Sequence, residues 1–124
     1  MRTLFIIPPF GFRKESDKIK QKKGFMPPIS VALLATILEQ DNHQVQILDM
    51  QVDTFTEPEL INYIRDVNPS LVCLTMLDAT AEIVHGIITK IKSVFPRIIT
   101  VVGGLHPTMH HDDVIKNVFK LLKW

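Results

Sequence analysis

The stretch LVCLTMLDATAEIVHGIITKIKSVFPRIITVVGG, Leu71 to Gly104, carries the pattern on which the fold rests. It opens with a continuous apolar run, LVCLTML (71–77), and closes with another, IITVV (98–102), ended by two glycines. Between them Ile83, Ile87, Ile91 and Val94 recur at helical spacing on one face, while Lys90 and Lys92 lie off it. Phe95-Pro96 closes that helix, because a residue preceding proline is disfavoured in helical conformation. Strand, helix and strand in so short a span predict a parallel crossover unit.

The same alternation continues outward. TLFII (3–7) and VQILD (45–49) are further apolar, partly β-branched runs. ISVALLATILEQ (29–40) and EPELINYIRDV (57–67) read as helices, and Asn68-Pro69 ends the second of them. Pro58 and Pro107 stand where a first helical turn tolerates proline. In DDVIKNVFKLLKW, Val114, Val118 and Leu121 fall at helical spacing and predict a fourth helix running to the end. Strands that are apolar throughout are buried on both faces. The expected architecture is an open doubly wound α/β domain (flavodoxin/Rossmann-like), a parallel sheet with helices on both faces and right-handed crossovers. Residues 1–124 make one such domain. A fifth strand is not visible, so the fourth is expected to be an open edge and the chain to be the N-terminal part of a larger enzyme.

Composition narrows the function classes. With 14 basic against 13 acidic residues, the chain lacks the excess positive charge that phosphate neutralisation demands, so no nucleic-acid partner is expected. One cysteine, Cys73, excludes an internal disulfide and any Cys-rich zinc or iron–sulfur cluster made by this chain alone. The apolar run at the start is too short for a membrane span and is broken by Pro8-Pro9, which predicts a cytoplasmic chain with no membrane partner. The link between the first strand and first helix runs some twenty residues, where about 2–6 are usual, so the loop 11–27 is expected to be functional or mobile. Its basic run, 13–23, reads as a solvated segment.

In a sheet of this kind ligands bind beyond the carboxyl ends of the strands. Those ends fall at the Pro8–Gly11 turn, at Asp49, at Leu77-Asp78 and at Gly103-Gly104. PPFGF after the first strand has one glycine, where a dinucleotide site needs Gly-x-Gly-x-x-Gly. No P-loop run exists. Asp78 is placed like the acceptor of a phospho-receiver domain, but Pro8-Pro9 replaces the acidic pair and Gly103 the hydroxyl. Ser30, Ser70 and Cys73 have no histidine placed by local spacing, so no catalytic residue is expected.

LFIIPPFGF, GFMPPISVALLATILEQDNHQVQILD, PSLVCLTMLDATAEIVHGIITKIKSVFP and ITVVGGLHPT, in that order, resemble the N-terminal cobalamin-binding domain of cobalamin-dependent radical S-adenosylmethionine enzymes. The resemblance covers about residues 1–110. It implies cobalamin (vitamin B12) across the carboxyl ends of the strands, with its nucleotide tail beside the sheet. Gly103 and Gly104 would bed the tail, since glycine permits close backbone approach. Thr75 and Thr80 would offer hydroxyls, with a helix cap as the plainer role for Thr80. Pro8, Pro9 and Phe10 would pack under the corrin, and Leu77, His106 and Pro107 would complete the cofactor-binding set. The Asp-x-His-x-x-Gly of cobalamin methyltransferases is missing from PPFGFRKES. The resemblance therefore implies a base-off cofactor with no protein histidine on cobalt. The Cys-x-x-x-Cys-x-x-Cys of the radical domain is also missing, so the iron–sulfur cluster and S-adenosylmethionine would belong to a partner domain, in cis or in trans, and this chain alone would not be catalytic. The reaction implied is methyl transfer or a related radical rearrangement.

VVGGLHPTMHHDD (101–113) holds the other chemistry-bearing cluster. His106, His110 and Asp113 stand at i, i+4 and i+7 and would share one face of a regular helix, a spacing able to hold zinc or iron. Because His106 precedes Pro107 at the helix start, no metal site is expected there, and a small metal-binding domain ranks as a third reading. The second is a non-catalytic α/β interaction module that has lost corrinoid binding. His43 and His85 read as surface or helix-packing residues, and Asp49 as bonding a neighbouring loop.

Overall fold

In the computed structural model, which describes residues 1–12 and 28–121, the chain runs β1 (Arg2–Ile7), α1 (Ile29–Gln40), β2 (Gln44–Asp49), α2 (Glu57–Val67), β3 (Leu71–Thr75), a 3₁₀ turn (Asp78–Thr80), α3 (Ala81–Val94), β4 (Ile99–Gly103), α4 (Leu105–Met109) and α5 (His111–Leu121). The four strands form one sheet in the order β2-β1-β3-β4, and every pairing is parallel. This is the expected α/β architecture. The basic run 13–23, most of the loop 11–27 and the residues after Leu121 lie outside the described residues.

Burial follows the pleat. Leu4, Ile6, Leu48, Val72 and Leu74 face one side, where they meet Leu60 and Ile64 of α2, Val84, Ile87, Ile88 and Ile91 of α3, and Val114 of α5. Phe5 and Ile7 face the other, against Val31 and Ala35 of α1. Helices therefore cover both faces, as a sheet with unbroken apolar strands requires. Of the face expected for α3, Ile87 and Ile91 are buried, while Ile83 and Val94 are partly so. The buried stripe is rotated to take in Val84 and Ile88.

Local chemistry fixes the element ends. Thr56 caps α2, its hydroxyl oxygen accepting from the Glu59 amide at 3.3 Å, with Pro58 inside the first turn. Glu57 and Glu59 lie at the positive end of that helix and Arg65 near its negative end. Asn68 closes it at φ 51°, in the left-handed region that asparagine tolerates. Arg2 ties three elements, with Nε donating to Gln44 Oε1 at 3.0 Å and Nη1 to the Val67 carbonyl at 2.9 Å.

Three boundaries differ from expectation. β3 stops at Thr75 rather than Leu77, since Met76 donates its amide to the Gly103 carbonyl at 2.9 Å and the chain then turns away. β4 extends to Gly103. The last helix is preceded by a separate one-turn helix, and the two are broken at His110, which has φ −132° and ψ 40°. The sheet ends at β4 among the described residues, so the open edge is present.

Candidate functional site

The order β2-β1-β3-β4 places a topological switch between β1 and β3, where the chain leaves neighbouring strands in opposite directions and opens a crevice at their carboxyl ends. Pro8 and Pro9 follow β1 and are buried, and Phe10 projects into solvent. From β3 come the half-buried Thr75, the buried Met76 and the exposed Leu77 and Asp78. From β4 come Gly103, Gly104, Leu105, His106 and Pro107.

The two glycines differ in kind. Gly104 has φ 106° and ψ −167°, a region that only glycine occupies readily. A Cβ there would also lie 3.1 Å from the Met76 carbonyl oxygen and 3.3 Å from its nitrogen. Gly104 is therefore required by the fold, because it lets the β4–α4 turn close on the end of β3. The His106 amide completes that closure by donating to Met76 oxygen at 3.1 Å. A Cβ on Gly103, by contrast, would meet nothing within 4 Å. The space over Gly103 is open to a ligand.

The segments that follow β1, β3 and β4 carry exposed apolar side chains that no core requires: Phe10, Leu77, Leu105 and Met109. Such a rim at the ligand end suits a broad apolar partner. Leu105 and Met109 were not among the expected site residues; their signal in the sequence was an apolar pair flanking a His-Pro turn.

Thr80 is turned inward. Its hydroxyl oxygen accepts from the Leu77 amide at 3.0 Å and donates to the Leu77 carbonyl at 3.3 Å, and the residue is buried. It makes no side-chain cap bond at the head of α3. Its work is to close the turn that presents Leu77 and Asp78.

Asp78 and His106, on the exits of adjacent strands, meet directly. His106 Nδ1 donates to Asp78 Oδ1 at 2.5 Å, and His110 Nε2 lies 3.9 Å from the same oxygen. The hydrogen bond from His106, and then the two imidazoles' charge, hold the Asp78 carboxyl below its ordinary value. The histidine rings are 4.9 Å apart between centroids. Asp113 does not join them. The break at His110 reorients the following helix, and Asp78, thirty-odd positions upstream of Asp113, takes the place assigned to it on a regular helix.

The remaining polar groups have local partners or none. Asp49 Oδ1 accepts from the Gln51 amide at 3.0 Å, the loop bond expected of it. His43 bonds the N-terminal amine and pairs with Asp41. His85 has a buried Nδ1 without a partner, and burial pushes its pKa down. Cys73 is half-buried on β3 and burial pushes its thiol up. A cleft of about 560 Å³ walled by Arg65, Ser70, Phe95 and Arg97 opens at the amino ends of the strands, the wrong end for a ligand of an open α/β sheet. No described helix is long and apolar enough to cross a membrane.

Residues 19–120 match the family model of the B12 binding domain. The chain belongs to the B12-binding domain family. It is 29% identical over 117 residues to the anaerobic magnesium-protoporphyrin IX monomethyl ester cyclase of Rubrivivax gelatinosus, a match covering 94% of this chain and 20% of the relative. It is 25% identical over 122 residues to the enzyme of the same name from Synechocystis sp., covering 93% and 23%. An uncharacterized methyltransferase of Pyrococcus horikoshii is 25% identical over 109 residues, covering 87% and 22%. The chain thus spans about a fifth of the length of the curated relatives it matches. No solved structure matches it.

The described residues of this B12-binding domain fit a corrinoid. They supply an open glycine surface at Gly103, an apolar rim, and polar groups at the switch point where a large ligand would lie. The first segment after β1 offers no imidazole, since residues 8–12 are Pro, Pro, Phe, Gly and Phe.

Proposed function

We propose that this B12-binding domain holds cobalamin over the carboxyl ends of β1, β3 and β4 and presents it to a radical S-adenosylmethionine domain, in cis or in trans, for methyl transfer or a related radical reaction. The observation that carries the reading is the unobstructed surface of Gly103 beside the conformationally obligatory Gly104, at the carboxyl end of β4 in a sheet whose family binds B12. When bound, the corrinoid supplies the metal-centred chemistry, and the protein supplies binding and orientation.

This chain's residues divide that work. Gly103 gives the tail close approach to backbone, and Gly104 fixes the turn that holds Gly103 in place. Phe10 and Leu77 supply apolar surface to the ring, with Pro8 and Pro9 as the rigid floor beneath. Thr75, His106 and Pro107 line the exit of the crevice, and Thr80 acts through Leu77. Cobalamin would be held base-off and, with no histidine after β1, without a protein imidazole from that segment on cobalt. The iron–sulfur cluster and S-adenosylmethionine sit in the partner domain, because Cys73 is the single cysteine of this chain. The chain works in the cytoplasm.

The test uses tag-free chain mixed with hydroxocobalamin and passed through gel filtration. Cobalamin is expected to co-elute with a base-off visible spectrum, and Gly103→Val to remain folded while losing the cofactor. A folded chain that retains no cobalamin would overturn the reading. That result would favour a corrinoid-free interaction module, to which the exposed Ile99 and Val101 beside the open β4 edge lend support.

A further inference from the structure

We propose that Asp78, His106 and His110 form a binding site for a divalent cation of the zinc class, sharing only His106 with the corrinoid crevice. The three residues come from two elements, and the fold brings them together. His106 is pinned by its amide to the Met76 carbonyl, so the residue two places beyond Met76 faces it across the gap between the β3 and β4 exits. One helical turn later, the His110 amide donates to the His106 carbonyl at 2.8 Å, which stacks the second imidazole above the first. One donor atom from each residue lies within 4.8 Å of the other two.

Metal–donor distances of about 2.0–2.2 Å in a tetrahedron place donors roughly 3.3 Å apart. The Asp78–His106 contact at 2.5 Å must open and the Asp78–His110 contact at 3.9 Å must close. Both adjustments fall on the more exposed partners. The His106 side chain is 16% exposed and is the anchor, while those of Asp78 and His110 are 75% and 46% exposed. The cation would take the place of the proton on His106 Nδ1, which passes to Nε2 when the ring is neutral and to solvent when it is an imidazolium.

The donor set chooses the ion. Two imidazoles and one carboxylate suit zinc and its borderline neighbours, whereas calcium and magnesium require oxygen ligands throughout. Three protein ligands leave a coordination position for water or an external oxygen donor, the arrangement of an open rather than a structural site. Of the three residues only His106 belongs to the proposed corrinoid crevice, so the two readings can fail independently.

The experiment titrates tag-free, cobalamin-free chain with Zn²⁺ by calorimetry and with Co²⁺ by visible absorption. One cation per chain is expected, with Co²⁺ d–d bands reporting imidazole coordination and no competition from excess Mg²⁺. D78A and H110A should each weaken binding by at least about tenfold, the loss that even an outer-shell partner causes. Their circular dichroism should match the unaltered chain's, since both side chains are on the surface. D113A and H111A should bind as the unaltered chain does. No saturable binding, or D78A and H110A variants that bind undiminished, would overturn the site. So would loss of binding in D113A alone, which would return the ligand set to the face of one helix. Failure of cobalamin to bind leaves this titration unaffected.

Discussion

The two faces of the sheet are built from the same four strands and finished differently. Toward α2, α3 and α5, the side chains of Leu4, Ile6, Val72, Leu74 and Met76 are sealed, and the helices opposite supply Leu60, Ile64, Ile87 and Ile91 to match. Toward α1, cover centres on β1 and falls away on either side. In the row Ile47, Phe5, Cys73, Val101, set by the strand registers, Phe5 is buried while Ile47 and Val101 are 39% and 46% exposed. One row earlier Ile99 is 60% exposed. α1 shares this unfinished character, with Ile29, Leu33, Leu34 and Ile37 exposed beside the buried Val31 and Ala35. The difference teaches that apolar sequence alone does not locate a core. Burial is decided by whether a helix lies opposite.

The largest expected effect lies on the sealed face. Leu74→Ala should cost about 2–5 kcal/mol in urea unfolding, because helices packed from both flanks collapse only partly into the space left. A loss under about 1 kcal/mol would mean that this face is as loose as the other. Next comes the turn that locks β4 to β3. Gly104→Ala should destabilise by about 1–3 kcal/mol through its positive φ and its contact with Met76, while Gly103→Ala should leave the urea midpoint nearly unchanged. Equal losses at both would show that the open surface over Gly103 is packed in solution.

A smaller effect reads the dryness of α3. Burial, and then the charge of His106, depress the His85 pKa below the ordinary 6.5. The unfolded chain therefore takes up that proton first. The neutral ring's contribution is fully present above about pH 6.5 and is lost as pH falls through the depressed folded value. Relative to His85→Leu, the unaltered chain should lose stability over that window, and parallel curves would refute it. Smallest is Val101→Ala, expected within about 0.5 kcal/mol. A loss approaching that of Leu74→Ala would mean that something covers the open face in solution.

Much of this was legible in the sequence. Continuous apolar runs located the four described strands within a residue or two, and the parallel crossover pattern implied helices on both faces. Gly103-Gly104 was legible as a ligand turn, but its division of labour was not. Only the backbone shows that Gly104 carries the positive φ while Gly103 faces open space. The histidine cluster was half legible. Spacing along one helix pairs His106 with His110, yet it cannot foresee the break at His110 or a partner from the neighbouring strand's exit. Thr80 showed the same limit, since a threonine before a helix reads as a cap and here bonds backward to Leu77.

The central place of β1 has a consequence for the chain as it is made. Of the four described strands β1 leaves the ribosome first, and it waits for both of its neighbours. Its pairing with β2 begins at Gln44, 42 positions after Arg2, and the Val67 carbonyl that Arg2 bonds beside β3 comes 65 positions after it. At translation rates of about 5–20 residues per second, the wait is a matter of seconds. Throughout it, Thr3 to Ile7 is an apolar, β-prone segment with both hydrogen-bonding edges unpaired. This segment is the part of the nascent protein that a chaperone has most reason to hold.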